Sequence, residues 1–286
     1  MNVVFLCIGA AKAGTDWLHQ QLVAHPQCHL RAIKELHYFD ALENNQLSRE
    51  LKKHRDIQRT ALDRLSLEKN GQPGPISRRV ADRAAWMDVL ELGGEDIPAY
   101  LDYLGEGAAA GQVVADMTPA YALLPEKRFA AMAGMAPDVR FLFLLRDPVE
   151  RLWSHVRMIA VRRDPEGKIR RQRCARILTR VLSGEETQIV ARSDYAATLE
   201  RLAAAVPGPQ VLVEAFENMI QGSGFRRLCD FLGIPVMPLD MTPVHQGQAL
   251  EMTRDQRRAA YRWLAPQYDA AERALGGLPQ GWAREG

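Results

Sequence analysis

Gly9-Ala10-Ala11-Lys12-Ala13-Gly14-Thr15 sets two glycines around a lysine and ends on a hydroxyl. Small residues let a ligand approach the backbone, whose N–H groups, at the opening of a helix and beside the Lys12 ammonium, favour an anion. The glycine spacing is nearly that of a phosphate-binding loop. Thr15, however, stands where such loops place the lysine that reaches the β- and γ-phosphates of a nucleoside triphosphate. With Lys12 three positions upstream, a shorter phosphosulfate suits the loop better. Taken alone, the loop is equally compatible with a glycine-rich turn carrying a solvent lysine.

A second anion-suited junction is Arg146-Asp147-Pro148, at the end of an apolar run. Pro148 is placed to begin a helix, and Ser154, seven residues beyond Asp147, returns to the face of the helix start after about two turns. Arg146 and Ser154 can then grip one phosphate between guanidinium and hydroxyl. The plainer alternative is an ion pair of Arg146 with Asp147 or Glu150. Two such junctions at one edge of a parallel sheet point to a ligand with two separated anionic groups.

These residues need strands and helices to present them. A continuous apolar run at 3–8 and shorter or mixed segments at 28–31, 112–115, 139–145 and 210–213 read as strands, and helical spacing marks 15–24, 125–135, the segment after Pro148, 194–206, 216–232 and 253–275. Strands alternating with helices predict an α/β fold with a central parallel sheet flanked by helices in three layers, P-loop-like, as one domain over residues 1–286. Residues 43–111 break the alternation and read as a helical insertion interrupted at Gly71-Gln72-Pro73-Gly74-Pro75. Within it, the basic run 49–59 reads as a solvated helix face.

The composition narrows the function further. With 37 basic and 35 acidic residues and a net charge of +2, no global field recruits nucleic acid or a membrane surface, so any anion site is local. Cys7, Cys28, Cys174 and Cys229 form no CxxC pair, which disfavours a metal knuckle or a disulfide framework. The apolar run at 3–8 is too short for a signal segment or a membrane span. A cytoplasmic protein whose chemistry needs no metal is the expectation.

Ile8 through Thr15 resembles the 5′-phosphosulfate loop of sulfotransferases that use 3′-phosphoadenosine 5′-phosphosulfate (PAPS). Leu145-Arg146-Asp147-Pro148 through Ser154-His155 resembles their 3′-phosphate motif. Lys34-Glu35-Leu36-His37-Tyr38-Phe39 is similar to the segment carrying the catalytic glutamate of glycosaminoglycan-type and related bacterial members. Asp116-Met117-Thr118-Pro119-Ala120-Tyr121 looks like their TPxY segment, and fainter similarities fall at Ser193-Asp194-Tyr195, residues 211–219 and 231–234. The resemblance implies PAPS as co-substrate, with Ala11, Lys12, Ala13, Gly14, Thr15, Asp16 and Trp17 around its 5′ end and Arg146 and Ser154 on its 3′-phosphate. It assigns Lys12 and Glu35 to catalysis and implies an acceptor hydroxyl or amine on a carbohydrate, glycolipid or small molecule.

His37 and Asp116 are expected at the acceptor. His37 is also the rival base, since an ordinary imidazole titrates near neutrality, although packing beside Tyr38 and Phe39 is its plainer role. For Asp116, structural hydrogen bonding is equally open. Trp17 and Trp153 sit on apolar helix faces as core residues or adenine platforms, and His155 reads as a helix-surface residue. Three positions depart from the family pattern: Asp16, where a hydroxyl is usual; Met117, in place of a lysine; and His245-Gln246-Gly247-Gln248, which lacks the basic residues of a donor-covering loop. An atypical P-loop kinase using ATP, or a non-catalytic nucleotide-binding protein, remains an alternative reading, and oligomeric state is not written in the sequence.

Overall fold

Strands of a parallel sheet are covered on both faces and are therefore apolar along their whole length. The computed structural model describes residues 2–65, 75–242 and 249–282. Among them are five such strands: β1 (Val3–Gly9), β2 (Cys28–Leu30), β3 (Val113–Asp116), β4 (Val139–Leu145) and β5 (Val211–Ala215). They form one parallel sheet in the order β2-β3-β1-β4-β5. Successive residues of a strand point to opposite faces. Since Phe5, Leu6, Cys7 and Ile8 are all wholly buried, helices cover both sides of the sheet and the fold has three layers.

The helices are α1 (Thr15–Ala24), α2 (Tyr38–Glu43), α3 (Leu47–Leu65), α4 (Pro75–Glu91), α5 (Ile97–Gly105), α6 (Glu126–Ala133), α7 (Pro148–Arg162), α8 (Arg171–Leu182), α9 (Thr187–Ala191), α10 (Tyr195–Ala205), α11 (Phe216–Ile220), α12 (Ser223–Leu232) and α13 (Arg254–Leu275). From β1 the chain builds β2 and β3 on one side, then returns past β1 to build β4 and β5 on the other. The crevice at the C-terminal ends of β1 and β4 is thus the switch point at which α/β sheets bind ligands. The Ala10 amide donates to the Leu144 carbonyl at 2.7 Å, so both anion-suited junctions open there.

Several expectations shift. The helix expected over 216–232 is two, α11 and α12, broken at Gly222. Helices α8 and α9 were not anticipated, because arginines crowd the sequence around the buried stripe Cys174, Ile177, Leu178 and Val181 of α8. The 43–111 insertion comprises α3, α4 and α5. Gly71, Gln72, Pro73 and Gly74 lie outside the described residues, and Pro75 starts α4. Nor is 49–59 solvated throughout: His54 is 2 % exposed and accepts from Arg83 of α4 at 2.8 Å.

The insertion is tied to the sheet by an aromatic cluster. Tyr38 stacks on Tyr100 of α5 with centroids 4.9 Å apart, and Phe39, Trp86, Tyr103 and Tyr121 pack edge-on or tilted around them. All four cysteines are buried and unpaired. No helix among the described residues is long and apolar enough to cross a membrane.

Candidate donor and acid–base site

The turn from β1 into α1 needs glycine at both ends. A Cβ on Gly9 would lie 2.9 Å from the Ala122 Cβ, and Gly14, the N-cap of α1 at φ 89°, has no room for one against the Phe216 ring. Between them Lys12 adopts φ 71°, a strained backbone of the kind found at ligand clamps. Burial lowers the Lys12 pKa; the Asp16 charge opposes this, and Arg162, Arg146 and Lys34 lower it further.

Two side chains hold this loop from the β4 side. Arg151 of α7, completely buried, donates to the Ala11 carbonyl at 3.3 Å and to the Ser193 hydroxyl. Arg146 reaches the Lys12 carbonyl at 3.5 Å. The faint Ser193-Asp194-Tyr195 similarity acquires physical roles here. Ser193 braces Arg151, Asp194 caps α10 by accepting the Ala197 amide at 3.0 Å, and the Tyr195 hydroxyl donates to the Arg146 carbonyl at 2.9 Å.

The ion pair weighed for Arg146 does not form. Asp147 instead caps α7, accepting the Glu150 amide and the Tyr268 hydroxyl, each at 2.9 Å, and Glu150 pairs with Arg257 at 2.6 Å. The Arg146 guanidinium is left over the Phe216 ring, 6.0 Å from its centroid. Ser154 lies half-buried on α7. His155 is not a surface residue: it is 4 % exposed, and burial together with Arg151, Arg192, Lys12 and Arg162 lowers its pKa to about 3.

Asp16 does not turn toward the helix amides. Lys34 meets it at 2.5 Å and also reaches the Thr15 hydroxyl at 3.2 Å and Glu35 at 3.3 Å. One ammonium thus neutralises the carboxylate that would repel an anion and ties the loop to Glu35. Sequence reasoning quoted Lys34 in its motif without giving it a role; its charge complementarity with the unusual Asp16 was the available signal.

Glu35 and His37 are set against each other. Burial pushes the Glu35 pKa up, but its hydrogen bond with His37, at 3.4 Å, and the Lys34 charge outweigh this and bring it to about 2. Burial pushes the His37 pKa down, but its bond with Asp40 at 2.9 Å and its bond with Glu35 carry it to about 10. At neutral pH the imidazole is therefore a cation with both nitrogens donating. Asp40, which lies just beyond the quoted motif, was missed.

Asp116 is not available to an acceptor. It is 1 % exposed, and its oxygens are taken by the hydroxyls of Tyr100, Thr118 and Tyr121 at 2.6 to 2.9 Å. Met117 is also buried. Trp17 is 6 % exposed, donates to the Asp240 carbonyl at 3.2 Å and meets Phe216 edge-on. Trp153 is likewise core, donating to the Leu250 carbonyl at 2.6 Å. The partly exposed aromatic between the two anion motifs is Phe216, which the sequence did not single out. Residues 245–248 lie outside the described residues. Among the described residues no cluster of His, Cys, Asp or Glu has the arrangement of a metal site.

A family model described as "Sulfotransferase family" matches residues 5–238. Among solved structures, a sulfotransferase from Alicyclobacillus acidocaldarius superposes with a TM-score of 0.62 at 23% identity, covering 99% of this chain and 100% of that one. The sulfotransferase domain of the Synechococcus PCC 7002 olefin synthase gives 0.54 at 17% identity, covering 98% and 96%. At these identities the two structures establish the fold. No curated protein matches the sequence.

Proposed function

Since the chain belongs to the sulfotransferase family, we propose that it moves the sulfuryl group of PAPS to a hydroxyl, or an amine, of a carbohydrate or glycolipid acceptor, with residues 1–286 acting as one domain. The observation that carries this reading is the contact of Lys34 with Asp16, Thr15 and Glu35. It sets an acid–base group beside a loop whose other cations, Lys12 and Arg146, are not engaged by carboxylates in ion pairs among the described residues. The buried Arg151 behind the loop adds positive potential with no carboxylate partner among the described residues, which suits a multiply charged nucleotide. The four reduced thiols support a cytoplasmic setting.

In this reading the Gly14 and Thr15 amides and the Thr15 hydroxyl hold the 5′-phosphate, while Arg146 and Ser154 hold the 3′-phosphate. The acceptor oxygen attacks sulfur in line, the bond from sulfur to the bridging oxygen breaks, and Lys12 stabilises the charge left on that oxygen. Glu35 takes the acceptor proton. The products are a sulfate ester, adenosine 3′,5′-bisphosphate and the proton. A loose transition state makes the attacking hydroxyl acidic only as its bond to sulfur forms, so a weakly basic carboxylate accepts late and works chiefly through position.

Calorimetric titration of PAPS and of adenosine 5′-phosphosulfate, which lacks the 3′-phosphate, tests the donor. A guanidinium–phosphate bond is worth roughly 1.5–3 kcal/mol, so the wild type should prefer PAPS by about ten- to a hundredfold. In Arg146→Ala the two affinities should converge. Equal affinities in the wild type would exclude PAPS as the preferred donor.

A further inference from the structure

Asp116 ends β3 directly under the segment that carries Glu35. Its Oδ1 accepts from the Thr118 hydroxyl at 2.6 Å, and its Oδ2 accepts from the Tyr121 and Tyr100 hydroxyls at 2.7 and 2.9 Å. A hydroxyl has one proton to give. Having given it to Asp116, Thr118 and Tyr121 can only accept, and each accepts a backbone amide: Leu36 N–H at 3.0 Å on Thr118 and Tyr38 N–H at 3.1 Å on Tyr121. These amides follow Glu35 and His37 in sequence. The His37 N–H also reaches the Thr118 hydroxyl, at 3.5 Å, so one buried carboxylate sets the direction of all three hydrogen bonds that pin the acid–base segment.

The helical insertion meets the same point. Tyr100 comes from α5, its ring stacks on Tyr38, and the Tyr38 hydroxyl accepts the amide of Asp96, the N-cap of α5, at 2.7 Å. Moving α5 would therefore move Tyr100 against Asp116 and Tyr38 against Glu35.

We propose that Asp116, through Thr118 and Tyr121, is a positioning residue that fixes Glu35 against His37 and couples the helical insertion to that pair. This rests on Glu35 being the proton acceptor. Asp116 touches no substrate; it acts by holding the backbone. Burial of its charge, only partly offset by the Thr118, Tyr121 and Tyr100 hydroxyls, raises its pKa to about 6, so keeping a carboxylate here opposes stability and is consistent with a role in orientation.

The test follows the imidazole C–H resonances of His37 by proton NMR against pH, identified by their loss in His37→Asn. The charged and titratable groups acting on His37 include Asp40, Glu35, Lys53 and His54, with Asp116 behind them. Thr118→Val removes the acceptor for the Leu36 and His37 N–H groups while leaving every one of those charges in place. If Glu35 drifts from His37, the His37 pKa should fall from about 10 by about one pH unit or more. Thr118→Ser, which keeps the hydroxyl, should restore it. Adenosine 3′,5′-bisphosphate should bind all three proteins equally in calorimetry. An unchanged His37 titration in Thr118→Val overturns the proposal, as does a loss of nucleotide binding that parallels the titration change, since that would be general damage. If Thr118→Val does not fold, Tyr121→Phe cuts the Tyr38 tether and is judged by the same shift. If the wild type itself fails to bind the bisphosphate, the donor assignment falls, while the His37 titration still decides the positioning role.

Discussion

At the scale of single residues, the question left by the sequence was which of Glu35 and His37 is the base. Each group fixes the protonation of the other: His37, held between Asp40 and Glu35, has its pKa raised to about 10, and Glu35, beside His37 and Lys34, has its own lowered to about 2. At neutral pH the imidazolium has no lone pair to offer, which favours the Glu35 carboxylate as the proposed base. Glu35→Gln is expected to fold, to bind donor and to lose roughly two to four orders of magnitude in turnover. Full turnover in Glu35→Gln together with none in His37→Asn would reverse the roles. The same pair makes a stability prediction. Because folding raises the His37 pKa above its ordinary 6.5, its contribution is complete below pH 6.5 and is lost as pH rises through about 10. The gap in urea midpoint between wild type and His37→Asn should therefore close across that interval. Lys34 and Glu35 were legible as a motif. The service of Lys34 to Asp16 was hinted at only by their opposite charges, because the contact depends on the segment after β2 passing the first turn of α1.

At the scale of elements, the proposed donor loop between β1 and α1 is a strand-to-helix turn whose shape is fixed by Gly14. Ala at this position would carry the left-handed φ of 89°, costing roughly 1–2 kcal/mol, and would also overlap the Phe216 ring. Gly14→Ala should lower the urea-derived stability by roughly 2 kcal/mol or more and weaken nucleotide binding. Phe216→Ala in the same chain should relieve the overlap and leave the backbone cost. A wild-type midpoint in Gly14→Ala would mean that the loop is not held in this form. The glycine and the helix start were readable from spacing alone. Phe216 was not, because its place in the loop comes from β5 lying beside β4, a pairing without a local signal. The opposite failure befell α8, whose buried stripe was present in the sequence but outnumbered by arginine.

For the whole molecule, the donor should act as a stabiliser that closes on loops from both sides of β1. Ligand at a hundredfold its dissociation constant contributes about 2.7 kcal/mol, which for a chain of this size corresponds to a rise in Tm of about 5–10 °C. Adenosine 3′,5′-bisphosphate should produce that rise with or without EDTA, and EDTA should leave sulfuryl transfer unchanged. A rise only with ATP and magnesium would instead favour the kinase alternative. The α/β class and the two strand-to-helix junctions were determined by the sequence itself, because they depend on short-range facts: apolar runs, glycine at a turn, proline at a helix start; the Glu35 segment was picked out by its resemblance to the family. Tertiary structure alone decided that Arg146 is free of Asp147 and Glu150, that Lys34 cancels Asp16, and that the Asp116 oxygens are taken by three hydroxyls. Those outcomes depend on which side chains meet, including pairs 16, 18 and 121 residues apart in the chain. Such meetings are set by the strand order and by what each strand end is left facing, which local residue patterns do not encode.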